Sequence, residues 1–251
     1  MQQNIYDDPV FFAKYQAMRE SGAELNQVLE QPAVRSLLPE LNGKTVLDLG
    51  CGTGVLSRYL VRQGAKRVVG VDISKKMLAT ARKETRDERI IFIESAIEDF
   101  DFTSEQFDLT VSSLAFHYLA DLDAVFGKIN ACLKEDGLIV FSMEHPIITC
   151  SQGIHLGWET DETGQKKYWQ VDAYSQEGIR RSHWHVDGVV RYHRKLSSIL
   201  NSLFSSGFWI NKIWEPHALE EAEQERPWLL EERRRPPFLV VRASKRSLTF
   251  R

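Results

Sequence analysis

The chain alternates short, wholly apolar runs with stretches whose apolar residues recur every three to four positions. Residues 45–49, 68–72, 90–93, 107–112 and 138–141 are the runs. Between them, 55–63, the stretch behind Ser74 and the stretch behind Asp121 each carry one apolar stripe, the last of them Leu122, Val125, Phe126, Ile129 and Leu133. A strand apolar on both sides is buried on both faces. Its alternation with amphipathic helices predicts an α/β fold with a parallel sheet covered by helices on both faces. Residues 195–205 read as a further helix, and 208–214 and 238–242 as two last strands, which brings the sheet to seven strands. At the other end, Asp8-Pro9 marks a helix start, and Phe11, Tyr15 and Met18 keep helical spacing up to Ser21-Gly22. Pro32 predicts a break between two further helices ending near Pro39.

This pattern divides the chain into a helical cap (1–43), a core (44–149), an insertion after the fifth strand (150–194) and a final helix with strands (195–251), all within one domain. The insertion differs in composition. Residues 150–193 hold three of the six tryptophans and four of the seven histidines, His155 among them. Asp187-Gly188 is a strong two-residue turn signal, which predicts a hairpin with Val186 opposite Val189 and His183 opposite Tyr192. That register puts His183 and His185 on one face and His193 on the other, so a three-histidine metal site is not expected.

Composition narrows the class. With 251 residues and 43% hydrophobic content, one elaborated domain with a real core is expected. A net charge of −3 gives no reason to expect nucleic acid, and the arginine clusters 180–181 and 233–235 read as solvated faces. Three scattered cysteines, Cys51, Cys132 and Cys150, form no disulfide framework and fit a reducing cytoplasm. The N-terminus has no signal-peptide pattern, and no run approaches the roughly 18 apolar residues of a membrane span.

The chemistry concentrates in Val46-Leu47-Asp48-Leu49-Gly50-Cys51-Gly52-Thr53-Gly54, at a strand-to-helix junction. Glycines there let backbone approach a ligand, and the helix start offers free N–H donors. Asp72 ends the next strand, where an acid can take both hydroxyls of a ribose. Val55 stands where a dinucleotide loop would have its last glycine.

With VVGVDIS at 68–74, FDLTVSSLAFHYL at 107–119 and LKEDGLIVFS at 133–142, this loop resembles the class I S-adenosylmethionine-dependent methyltransferases of the type 11 kind, over about residues 44–143. The resemblance implies a Rossmann-like fold and S-adenosylmethionine as cofactor, with S-adenosylhomocysteine as product. It implies that Gly50, Cys51, Gly52 and Gly54 line the cofactor, that Asp48 supports the loop and that Asp72 binds ribose. Ile73 and Met77 would flank the adenine, with Ser95, Ala96 and Ile97 where many members carry an Asp. Ser113 borders the methyl group, and Tyr15 and Arg19 reach over from the cap.

His117 and His145 sit at the rim of the fourth and fifth strands, and each is either a base or a plain hydrogen-bonding residue. Tyr6 and Phe11 in the cap, with Tyr118, Trp158, Trp169, Tyr174, Trp184 and Tyr192, either wall an acceptor pocket or form a satellite core. The expected activity is methyl transfer to a small molecule. RNA or protein methylation, and cofactor binding without catalysis, are the alternatives. Trp209, Trp214 and Trp228 are candidates for a homodimer surface.

Overall fold

A computed structural model gives the fold and describes residues 2–20, 25–103, 106–152 and 157–246; Ser21-Gly22 and His155 lie outside them. Helix α1 (Pro9–Glu20) begins where Asp8 caps it, its carboxylate accepting from the amides of Val10 at 2.9 Å and Phe11 at 2.8 Å. The break expected at Pro32 is absent. Asn26–Glu30 form a π-turn that runs straight into α2 (Gln31–Leu37), with the Gln31 amide donating to the Asn26 carbonyl. Proline crowds the carbonyl four residues back, and a widened turn ahead of it relieves the crowding without ending the helix. The same turn carries Glu30 into the interior, where it has no exposed surface.

The core follows as β1 (Thr45–Leu49), α3 (Val55–Arg62), β2 (Arg67–Asp72), α4 (Lys75–Glu84), β3 (Ile90–Glu94), β4 (Phe107–Ser112), α5 (Leu122–Cys132) and β5 (Leu133–Glu144). Ser74 caps α4 by accepting from the Met77 amide, and Asp121 caps α5 by accepting from Ala124. Strand β5 is longer than its apolar run. The Asp136-Gly137 turn is absorbed as an irregularity, with Asp136 at φ +59° and pairing already present at Leu133.

Next come α6 (Pro146–Thr149), two hairpins, β6 (Trp158–Thr160) with β7 (Lys166–Trp169) and β8 (Gly178–Trp184) with β9 (Val186–His193), and then α7 (Leu196–Ser205), β10 (Phe208–Trp214), α8 (Glu220–Glu225) and β11 (Phe238–Lys245). The sheet has seven strands in the order β3-β2-β1-β4-β5-β11-β10, and only β11 runs against the rest. Alternate side chains of each strand serve opposite faces. Leu47 and Leu49 pack with Phe126, Ile129 and Leu203 on one side, while Val46, Leu109 and Val111 pack with Val34, Leu37 and Leu60 on the other. Chain order reverses direction between β1 and β4, the switch point where α/β sheets hold ligands beyond their strand ends.

The β8–β9 register differs from the one the turn signal predicts. Ser182 pairs with Val189, Ile179 with Tyr192 and Gly178 with His193, and the chain reverses at His185, which takes φ +62°. Long-range packing overrides the local Asp187-Gly188 preference: Trp184 is half-buried and packs edge-on against Phe11 and Tyr6, which fixes where the turn must fall. The histidines are separated, though for a different reason than the expected register gave. His183 pairs with Asp187 at 2.6 Å, His185 stacks on Trp184, and His193 takes the Thr149 hydroxyl and donates to the Tyr174 carbonyl. Among the described residues, no group of three potential ligands is placed to hold a metal.

The arginine clusters are solvated only in part: Arg181, Arg233 and Arg234 are exposed, as expected, but Arg180 and Arg235 are not. Arg180 is buried and donates to the carbonyls of Cys150, Ala173 and Gln176. Arg235 lies 4.1 Å from the centre of the Trp169 ring and pairs with Glu232, while Arg234 lies over Trp158. Of the three late tryptophans, Trp209 and Trp228 are exposed, whereas Trp214 packs against the core and faces Lys212. All three cysteines are free and buried, and no helix among the described residues is long and apolar enough to cross a membrane.

Candidate active site

A cavity of about 1110 Å³ opens beyond the carboxyl ends of β1, β2, β4 and β5. That exceeds the space one small ligand usually needs and leaves room for two molecules side by side. The glycine loop forms its floor. Gly50 and Gly52 take φ +73° and +54°, the left-handed region that other residues enter at a cost. The amides of Gly50 and Cys51 donate back to the Val71 carbonyl, which clamps the loop to β2. The Gly52 amide donates to Asp72 Oδ2 at 2.8 Å, and the Ser74 amide to Oδ1 at 2.8 Å.

The Asp72 carboxylate keeps acceptor capacity beyond these two bonds and lines the cavity. Burial raises the Asp72 pKa against these hydrogen bonds. Asp48 lies beneath the loop and accepts from the Ser57 hydroxyl at 2.5 Å; burial drives its pKa up to about 7.

A nucleoside-type cofactor fits these residues. A Cβ added at Gly52 would meet no protein atom within 4 Å, so this part of the loop faces open space. Ile73, Met77, Ala96 and Ile97 line the same cavity as an apolar slot beside Asp72. Cys51, Ser113, Tyr15 and Arg19 also line it. Gly54 and Ser95 do not: Gly54 starts α3 against Phe92, and the Ser95 hydroxyl donates to the Ala96 carbonyl.

The two histidines separate. His145 does not line the cavity. Its Nδ1 caps α6 by accepting from the Ile147 amide at 3.1 Å, and its Nε2 faces Glu215 at 2.9 Å. The Glu-His-Pro sequence ahead of α6 makes this ring a helix cap. His117 does line the cavity, but its Nδ1 accepts from the Glu144 amide at 3.3 Å. Burial pulls its pKa down to about 4. At neutral pH the ring is therefore uncharged, with the proton on Nε2, so it offers the cavity a donor and not a base.

The aromatic residues also divide. Tyr6, Tyr118, Trp169, Trp184 and Tyr192 line the cavity, and the Tyr6 and Tyr118 hydroxyls are hydrogen-bonded to each other. Phe11 is wholly buried behind them, 5.0 Å from Tyr6 and 5.1 Å from Trp184 between ring centres. Trp158 pairs across β6–β7 with Trp169 but stays outside the cavity. Tyr174 packs on His193 and accepts from the Leu196 amide.

Several lining residues were not expected. Arg191 faces Glu144 at 2.7 Å below Trp184, and Leu114 takes φ +53° with its amide donating to the Ser142 carbonyl and hydroxyl. Glu30 lines the cavity from the π-turn. Its place on the apolar stripe with Ala33, Val34 and Leu37 was the available signal: a carboxylate at a core position.

The N-terminal segment closes this arrangement. Asp7 accepts from the Ser74 hydroxyl at 2.6 Å and from the amides of Lys76 and Lys75, while the Asn4 amide reaches the Ile73 carbonyl. On the other side, Gln3 grips Val190 through both atoms of its amide group, and Lys14 donates to the His185 carbonyl. Burial pushes the Asp7 carboxyl up, but its four hydrogen bonds outweigh this and hold it below its usual value. A lowered carboxylate pKa means the tie is complete above about pH 4 and is lost as pH falls through the lowered value. Asp7→Ala should weaken S-adenosylhomocysteine binding about tenfold at neutral pH, as expected for removing charge-assisted bonds, with the sheet intact. Calorimetry and far-UV circular dichroism check this; unchanged affinity would show that the segment is no part of the site.

Residues 47–141 match a family model described as a methyltransferase domain. A solved structure, an S-adenosylmethionine-dependent methyltransferase from Mesorhizobium loti, superposes with a TM-score of 0.80 at 39% identity, covering 86% of this chain and 97% of that one. An uncharacterized protein of Haemophilus influenzae is 34% identical over 96% of this chain and 97% of its own length. The malonyl-[acyl-carrier protein] O-methyltransferase of Pectobacterium atrosepticum is 35% identical over 43% of this chain and 41% of its own length.

Proposed function

Because this chain belongs to the S-adenosylmethionine-dependent methyltransferases, we propose that it methylates a small molecule with an aromatic or similarly flat body. The observation that carries this reading is the covered cavity. Its far wall is Tyr6, Tyr118, Trp184 and Tyr192, and the N-terminal segment and the β8–β9 hairpin fasten to each other across it. A polymer would need an open groove, and RNA a broad basic surface, which a net charge of −3 does not favour.

When bound, the cofactor supplies a methyl group already activated as a sulfonium, so the protein's task is mainly alignment. In this reading Gly50 and Gly52 let the backbone lie against the cofactor, and Asp72 takes the ribose hydroxyls. Ile73, Met77, Ala96 and Ile97 flank the adenine. His117 orients the acceptor through its Nε2–H, and the aromatic wall excludes water around it.

The deciding experiment incubates the protein with methyl-labelled S-adenosylmethionine and separate metabolite, RNA and protein fractions. Label should appear in the metabolite fraction. Label confined to RNA or protein would overturn the small-molecule reading.

A further inference from the structure

Glu30 is a buried carboxylate whose two oxygens have unequal lives. Oε1 accepts from the Ser113 hydroxyl at 2.7 Å and also from the Ser142 hydroxyl. Oε2 is shielded from solvent and has no hydrogen-bond partner, although the residue lines the cavity. A buried carboxylate oxygen left without a donor is costly, and native proteins keep such groups where a ligand or a reaction uses them. One turn earlier, Asn26 Oδ1 is likewise buried, unpartnered and on a residue that lines the cavity.

Position narrows the use. Ser113 is the first residue past β4, and Ser142 lies near the end of β5, so Glu30 is pinned beside the switch point next to the glycine loop. The serines consume Oε1 and fix the carboxylate plane. His117 and His145 both have ring nitrogens engaged elsewhere.

We propose that Glu30 Oε2 accepts the proton of the methyl acceptor, which therefore presents a hydroxyl or amine hydrogen at the transfer point. The inference rests on the methyltransferase reading above. As the acceptor's oxygen or nitrogen bonds to the methyl carbon, the carbon–sulfur bond breaks with its electron pair left on sulfur, and the acceptor's proton passes to Oε2. Asn26 Oδ1 would hold a second hydrogen of an amine, or a neighbouring hydroxyl. Burial raises the Glu30 pKa while the two serines, Arg19 and Arg35 pull it down, and the raised value makes the carboxylate a stronger base than a free one. Two further arginines that line the cavity have carboxylates of their own: Arg235 pairs with Glu232, and Arg191 with Glu144.

Two cofactor analogues test this without any acceptor. S-Adenosylhomocysteine has nothing at the methyl position, whereas sinefungin carries an ammonium there. The full-length protein should bind sinefungin about tenfold more tightly by calorimetry, as a charge-assisted bond to Oε2 requires. Glu30→Gln should erase that preference while changing S-adenosylhomocysteine affinity less than about threefold. Should that variant fail to fold, the wild type decides. Its sinefungin preference should fall toward unity as pH drops and Oε2 takes up a proton. Effects of Asp48 and Asp72 act on both ligands and cancel in the ratio.

A preference that ignores pH, or equal losses of both ligands in Glu30→Gln, overturns the role of Glu30. Failure of the wild type to bind either ligand would instead overturn the cofactor-site reading beneath it.

Discussion

Gly52→Ala should fold and bind its cofactor poorly, whereas Gly50→Ala should lose much of its stability. Both glycines are in the left-handed region, so alanine at either costs about 1–2 kcal/mol of backbone strain. They differ in what a Cβ would meet. At Gly50 it would come within 2.5 Å of the Ala115 Cβ, a rigid atom between two packed loops, and overpacking of that kind adds about 1–3 kcal/mol. At Gly52 it meets nothing within 4 Å and stands in the space where a ligand would press on the loop. Thermal denaturation should therefore show Gly50→Ala clearly destabilised and Gly52→Ala only mildly so. Calorimetry should show S-adenosylhomocysteine affinity in Gly52→Ala reduced about a hundredfold, the loss of about 2.7 kcal/mol of contact. Equal stability losses without a binding difference would mean that the loop does not face a ligand.

Asp72→Asn is the second large effect. It keeps the shape of a carboxylate that accepts from two amides on opposite oxygens, Gly52 and Ser74. The substituted amide brings an N–H₂ group against one of those donors, so one backbone N–H loses its acceptor, at about 1–3 kcal/mol. It also removes one of the two oxygens offered to the ribose. S-Adenosylhomocysteine affinity should fall about a hundredfold or more, and melting temperature by several degrees. The wild type should show a milder version of this at acid pH. Burial raises the Asp72 pKa, so the carboxylate takes up a proton as pH falls and its acceptor capacity declines with it. Affinity that stays flat down to the ordinary carboxylate range near pH 4 would contradict this role.

The parts legible in the sequence were those fixed by neighbours in the chain. Residues 45–54 announce a strand, a glycine turn and a helix because apolar run, positive-φ residues and helix stripe follow one another directly. Asp8, Ser74 and Asp121 announce caps that the structure contains. Features set by distant contacts were hidden. Asp187-Gly188 is a good turn, yet the β8–β9 hairpin reverses at His185 because Trp184 packs on residues of the N-terminal segment. His145 lies at the strand-end rim, as its place after β5 implies, but the chain spends its ring on the first turn of α6. Arg235 looks solvated in a run of three arginines and instead lies on Trp169, from a hairpin about 70 residues away. Glu30 and Asp7 are hidden in the sequence for opposite reasons. One is an acid on an apolar stripe, and the other an ordinary acid whose partners lie at the start of α4.

The grip of Gln3 on Val190 has an evolutionary consequence. Both bonds go to main-chain atoms of β9, a carbonyl and an amide that every residue but proline provides. Side chains on that strand can therefore drift without loosening the closure over the cavity, Tyr192 and Arg191 among those that look into it. Acceptor preference can be rewritten along β9 one residue at a time, while the hydrogen-bonded grip on that strand is held by a glutamine from the N-terminal segment.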